Sequence, residues 1–154
     1  MNEMRQAQVV EEMTFKRAFE RCIREKYVDF DGRASRAEYW KFILLYCVIL
    51  SVANIAEFWE WMLTYMITAQ VGHSPHAVDD VGMGGGMITT IVTILLFLPT
   101  LAVSIRRLHD IGKSGWWILG QLVPLIGPLV LLYFSVKPSE KGTNKYGPQP
   151  SETL

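Results

Sequence analysis

No lysine or arginine occurs between positions 42 and 105, whereas nine of the fifteen basic residues lie before that stretch. A soluble surface is dotted with both signs of charge along its whole length, so a cation-free stretch this long marks a chain organised by a bilayer. Within and beyond it three apolar segments stand out. The first, over about 36–57, has no charged residue from 42 to 56 and is long enough for the roughly 30 Å hydrocarbon core. Its start carries a capping signal. Ser35 and Glu38 have the spacing at which a hydroxyl and a carboxylate satisfy the open N–H groups of a first helical turn. Tyr39 and Trp40 then fall where an interfacial aromatic belt belongs, and Lys41 is placed to snorkel.

The second segment, 87–105, is uncharged and contains Pro99, which removes one backbone donor and predicts a bend. The third, 116–136, is also uncharged but holds Pro124, Gly127 and Pro128, so a continuous helix is not expected. Two forms fit its length: a single kinked crossing, which is favoured, or a re-entrant segment turning at 124–128. The fold class is therefore an all-α integral membrane protein with three hydrophobic segments, the third kinked or re-entrant. The membrane domain runs over 35–136 with an external loop at 58–86, followed by a polar tail, 137–154. The bias of lysine and arginine places the N-terminus in the cytoplasm.

Ahead of the membrane domain, residues 1–34 form a basic region with a helical pattern over about 14–27. Phe15, Ala18, Phe19, Cys22, Ile23 and Tyr27 fall on one face, and Lys16, Arg17, Glu20, Arg21, Arg24 and Glu25 on the other. Such a helix suits the membrane interface, drawn by anionic lipid, or equally a face packed on the protein's own loops. Trp59, Trp61 and Tyr65 suit an outer-interface segment or an extension of the first helix. Cys22 and Cys47 lie in segments of different character and are read as small packing residues rather than a disulfide.

Chemistry-bearing residues are sparse. Fifteen acidic residues balance the fifteen basic ones, which leaves no global field for nucleic acid. The densest polar cluster is Arg106, Arg107, His109 and Asp110, followed by Gly112 and then Trp116 and Trp117. As chemistry, His109 and Asp110 are candidates for an acid–base pair. As structure, the arginines suit the negative end of a helix, Gly112 its terminating turn, and the tryptophans an interfacial anchor; the structural reading is favoured. Gly112, Lys113 and Ser114 echo a phosphate-binding loop, but the required upstream glycine would fall at Arg107. His73 and His76, with Asp79 and Asp80, are weak metal-ligand candidates without a helical frame. The glycines at 82–86 read as a hinge. No ionisable residue occupies the centre of any segment, which argues against a proton relay, and no motif implies a cofactor.

The stretches FDGRASRAEYWKF (30–42), RRLHDIGKSGWW (106–117), PLIG (124–127) and GTNKYGPQP (142–150) follow one another in an order that resembles the small bacterial inner-membrane proteins grouped as domain of unknown function 805. The resemblance covers about 27–150 and departs in the loop at 57–86, which is longer and more aromatic. It implies a bacterial plasma-membrane location and no established activity, catalytic residue or cofactor. Two functions remain open. In the favoured one the protein is non-enzymatic and uses a basic cytoplasmic face of Arg33, Arg36, Arg106 and Arg107 to hold anionic lipid headgroups or a partner, a membrane protein or another copy of itself. In the other it is a membrane enzyme or small-solute carrier using His109 and Asp110, with Glu38 as a third member.

Overall fold

The computed structural model describes residues 14–71 and 86–150, and every regular element among them is helical. His73, His76, Asp79, Asp80 and most of the glycine run lie outside the described residues. In chain order the elements are α1 (Phe15–Glu20), a π-helical turn (Arg21–Glu25), α2 (Arg36–Val71), α3 (Met87–Asp110), a 3-10 helix (Gly115–Leu122) and α4 (Ile126–Val136).

α2 and α3, with 36 and 24 residues, exceed the roughly 20 residues that a crossing needs. Only 17% and 22% of their most apolar stretches are buried within the protein. Val52, Ile55 and Leu63 on α2, and Ile91, Ile94 and Phe97 on α3, are exposed. Helices this apolar and this uncovered need lipid as their solvent; a soluble protein does not leave such surface in water. Polar side chains along α2 are satisfied as hydrocarbon demands. Ser51 donates to the Cys47 carbonyl at 2.8 Å, Asn54 to Leu50 at 2.8 Å and Thr64 to Glu60 at 2.9 Å.

The described residues divide into two compact units, one of 14–44 with 98–150 and one of 45–71 with 86–97. In the second unit the Glu57 carboxylate of α2 accepts from the Thr89 backbone N–H at 2.8 Å and from its hydroxyl at 2.6 Å. The first turn of α3 thus receives from α2 an anionic cap for one of its open donors. Phe58, Trp59, Trp61 and Tyr65 belong to the same continuous α2, which makes this aromatic stretch an extension of the first helix.

The first unit carries the ends of both long helices. Thr14 caps α1 by accepting from the Arg17 N–H at 3.2 Å, and Ala18 and Cys22 on the apolar side of α1 and the π-helical turn are buried. Cys22, Ala34, Phe42 and Val103 form a buried cluster, with Phe19, Ile23, Tyr39 and Ile43 packed against it. Part of the apolar face of the amphipathic pattern thus packs on the protein's own chain, while Phe15 stays exposed. α2 starts where Ser35 accepts from the Glu38 N–H at 3.1 Å. The reciprocal half of the expected capping box is replaced: the Glu38 carboxylate is taken by Arg106 and Arg21. α3 continues through Pro99 to Asp110 without interruption.

The third apolar segment doubles back, the second of the two forms that its length allows. The 3-10 helix runs out and α4 runs back, with the Trp117 ring edge-on to Phe134 at 5.5 Å between them. At the tip Leu125 has φ +67° and ψ −54°, and the Ile126 N–H donates to the Pro124 carbonyl at 2.8 Å. That is a γ-turn, a tight and strained reversal. Gly127 permits it, because a Cβ there would fall inside the shell of the Gly120 carbonyl. Both ends of the hairpin finish beside Asp110. The chain enters through Gly112–Ser114, and on leaving it Ser139 donates to the Asp110 carboxylate.

Candidate functional site

The last five residues of α3, Arg106 to Asp110, are all buried. The helix terminates there because Gly112 adopts φ +72°, which lets its N–H reach the His109 carbonyl at 3.0 Å and lets Lys113 N–H reach Leu108 at 2.9 Å. A Cβ on Gly112 would stand 2.6 Å from a carboxylate oxygen of Glu140, so the tail also occupies the space beside this turn.

Asp110 is the hub. Its Oδ1 accepts from Arg33 Nε at 2.9 Å, and its Oδ2 accepts from Arg107 and from the Ser139 hydroxyl. The remaining donors of Arg33 go to main-chain oxygens, that of Asp110 itself at 3.3 Å and those of the tail residues Glu140 at 2.5 Å, Gly142 at 2.7 Å and Gly147 at 3.3 Å. Arg107 donates to the Ser135 carbonyl at 3.1 Å and to that of Lys137. Those two oxygens close the C-terminal end of α4, where a cation is favoured by the helix dipole and open carbonyls need a donor. A second carboxylate sits alongside. Glu38 accepts from Arg106 at 2.6 Å and from Arg21 at 3.3 Å, and Arg106 also approaches the Cys22 sulfur at 3.7 Å.

Three buried guanidinium groups thus share two buried carboxylates; carbonyls of the tail and of the end of α4 take up donors that the carboxylates leave over on Arg33 and Arg107, whereas Arg106 turns to the Cys22 sulfur and its Nε has no hydrogen-bond partner. The fork of five donors on arginine is what makes this possible; an ammonium could not reach so many fixed acceptors. Charges this deep are tolerated only when hydrogen-bonded in this way. Arg33, Arg106 and Arg107 therefore do not form an open basic face: their charge is spent inside the protein. Arg36 is half-buried.

His109 and Asp110 turn to different partners. Successive helix residues project about 100° apart, and here the His109 ring lies flat on Tyr146, centroids 3.7 Å apart, with Nδ1 3.3 Å from the Gly32 carbonyl. The Asn144 amide donates to the His109 carbonyl at 3.0 Å. Of the other singled-out residues, Trp40 lies edge-on to Tyr39, Trp116 is exposed at the root of the hairpin, Trp117 packs within it, and Pro124 shapes its tip. No group of three or more metal-ligating side chains occurs among the described residues.

Residues 27–148 match the family described as Protein of unknown function (DUF805). The chain belongs to this family. It is 38% identical over 126 residues to inner membrane protein YhaH of Escherichia coli (strain K12), covering 82% of this chain and 90% of that protein. Inner membrane protein YhaI of the same organism is 34% identical over 126 residues, covering 82% of this chain and 89% of that protein. No solved structure matches. With the lipid-facing surfaces of α2 and α3, these relatives identify a multi-pass inner-membrane protein.

The part of the chain that matches DUF805 contains Arg33, Glu38, Arg106, Arg107, Asp110 and Ser139, so the centre of the junction lies within the family domain. Arg21 and Cys22 precede it. Sequence reasoning missed both as site residues, along with Ser139, Asn144 and Tyr146. The signal available for the last two was the GTNKYGPQP stretch itself, whose turn between Asn144 and Gly147 serves to hold Tyr146 on His109.

Cys22 offers a readout of the junction. Burial pushes its thiol up to about 12, the negative Glu38 adds to the shift, and Arg106 and Arg21 oppose it. At pH 8 such a thiol holds on the order of a thousandfold less thiolate than a free cysteine. In a Cys47→Ser background, maleimide should leave Cys22 unlabelled in the folded protein and label it fully after denaturation. The linkage has one sign. Below about pH 9 the thiol is neutral in both states; above it only the unfolded thiol ionises, so stability falls as pH rises towards 12. Labelling of the native protein at pH 8 at the rate of a small-molecule thiol would show that the junction is open.

Proposed function

We propose that this DUF805 protein is a non-enzymatic inner-membrane protein with its N-terminus in the cytoplasm, acting by interaction with anionic lipid headgroups at its cytoplasmic face. The observation that carries this reading is the division of labour among the cations. The arginines are consumed in building a compact cap from the N-terminal segment, the end of α3 and the tail. Lys137, Lys141 and Lys145 are exposed and Lys113 is half-buried, and none of the four forms an ion pair with a carboxylate among the described residues, although Lys137 and Lys145 stand over the rings of Tyr133 and Tyr146. A compact ammonium on a flexible stem suits a headgroup phosphate as a point charge. The excess of basic residues before α2, against none in the described residues between 42 and 105, supports the orientation. The alternative, an enzyme or carrier built on His109 and Asp110, gains nothing from a carboxylate fully engaged by two arginines and a serine.

Each lysine near an anionic surface contributes roughly 1 kcal/mol. Replacing Lys137, Lys141 and Lys145 together by Gln should therefore weaken binding of the detergent-purified protein to phosphatidylglycerol vesicles by about a hundredfold, with its thermal unfolding unchanged. Equal affinity of the native protein for phosphatidylglycerol and phosphatidylcholine would overturn the reading.

A further inference from the structure

We infer that the hairpin of the 3-10 helix and α4 is a re-entrant element that inserts into the acyl chains of one leaflet, entering and leaving through the membrane surface that bears the arginine junction. Naming that leaflet as the cytoplasmic one rests on the orientation proposed above; the hairpin geometry does not.

Three observations converge on lipid as the occupant. The first is length. The eight residues of the 3-10 helix and the eleven of α4 each extend about 16 Å, close to half of a roughly 30 Å hydrocarbon core. Two matched arms of half-membrane depth reach the midplane and no further.

The second is surface. The tip is bare, with Leu122 and Leu125 80% and 82% exposed and Ile126 65% exposed. No charged residue interrupts the segment from 114 to 136. Lysines stand at both of its roots, Lys113 before and Lys137 after, with Trp116 beside the first. Cations and an indole at the base with bare leucines at the tip is the order of a headgroup region followed by acyl chains.

The third is the backbone. Irregular chain is excluded from lipid because its amides have no partner there. At this tip three of the amides have partners: Val123 donates to Gly120 at 3.0 Å, Ile126 to Pro124 at 2.8 Å and Gly127 to Val123 at 2.9 Å. Pro124 and Pro128 have no N–H to satisfy. The prolines that spoil the segment as a continuous crossing are what make it admissible as a turn inside a leaflet.

The test uses the full-length protein in its own membrane, with Cys22→Ala and Cys47→Ala as background and single substitutions Asp31→Cys, Leu125→Cys and Lys145→Cys. A membrane-impermeant maleimide is applied to intact spheroplasts and to inside-out vesicles. The expected result is labelling of positions 31 and 145 in the vesicles only, and of position 125 in neither. A nitroxide at 125 should in addition be relaxed by oxygen far more than by an aqueous nickel chelate. Labelling of 31 and 145 from opposite sides, or of 125 from water, overturns the re-entrant hairpin. Labelling of 31 and 145 together in intact spheroplasts upholds the hairpin and overturns only the cytoplasmic orientation.

Discussion

Replacing Asp110 by Ala is expected to destabilise the protein by about 3–5 kcal/mol, the cost of leaving buried charge without its counter-ion. The loss is large because three donors share this one side chain: Arg33 Nε, Arg107 Nη1 and the Ser139 hydroxyl all lose their acceptor. No water-exposed route is available to Arg33 or Arg107, whose side chains are 1% and 2% exposed. Native proteins hold only about 5–15 kcal/mol in total, so the variant should accumulate poorly and be cleaved in its tail by added protease. Glu25→Ala is the control. Its ion pair with Arg17 is of similar length, 3.0 Å, but both partners are about four-tenths exposed, and its loss should cost no more than about 1 kcal/mol. If thermal unfolding of Asp110→Ala in detergent matches that of Glu25→Ala, the junction is not what holds the cap together.

What was legible in the amino-acid sequence follows the range of the interactions concerned. Local turn chemistry reads well: the Ser35 hydroxyl on the Glu38 amide and the left-handed Gly112 after α3 each involve a few adjacent residues. So does the class of the fold, because apolar length answers directly to bilayer thickness. The junction reads only in part, because its pairs are far apart. Arg33 and Asp110 are separated by 77 positions and Glu38 and Arg106 by 68. The sequence allows Glu38 and Asp110 to pair with the boundary arginines, but it does not tell which pairs form or that they meet inside, since charged residues are mostly exposed. The expectation of an open arginine face came from that general habit of arginine. The amphipathic pattern around Cys22 was ambiguous for a different reason: an apolar stripe facing lipid and one facing protein have the same period.

Replacing Gly127 by Val should open the hairpin, at a cost of about 2–4 kcal/mol, at or above the upper end for forced overpacking because backbone rather than side chain must yield. The 116–136 stretch is long enough for one crossing or for two half-length arms, so its length alone could not choose; the contact between Gly127 and the Gly120 carbonyl does. Any Cβ at 127 collides with that oxygen and then with the Gln121 backbone, and neither can rotate away as a flexible side chain would. The arms must part, Trp117 must leave Phe134, and the carbonyls of Ser135 and Lys137 must withdraw from Arg107. Damage at the tip is thereby carried to the junction, and maleimide should reach Cys22 faster in the variant. Gly120→Ala separates sterics from mere loss of glycine: nothing lies within 4 Å of a Cβ there, so this change should leave unfolding within about 1 kcal/mol of the native protein. A Gly127→Val protein that melts like Gly120→Ala, with Cys22 still protected, would mean that the two arms are not in contact and that the segment adopts the extended, kinked form instead.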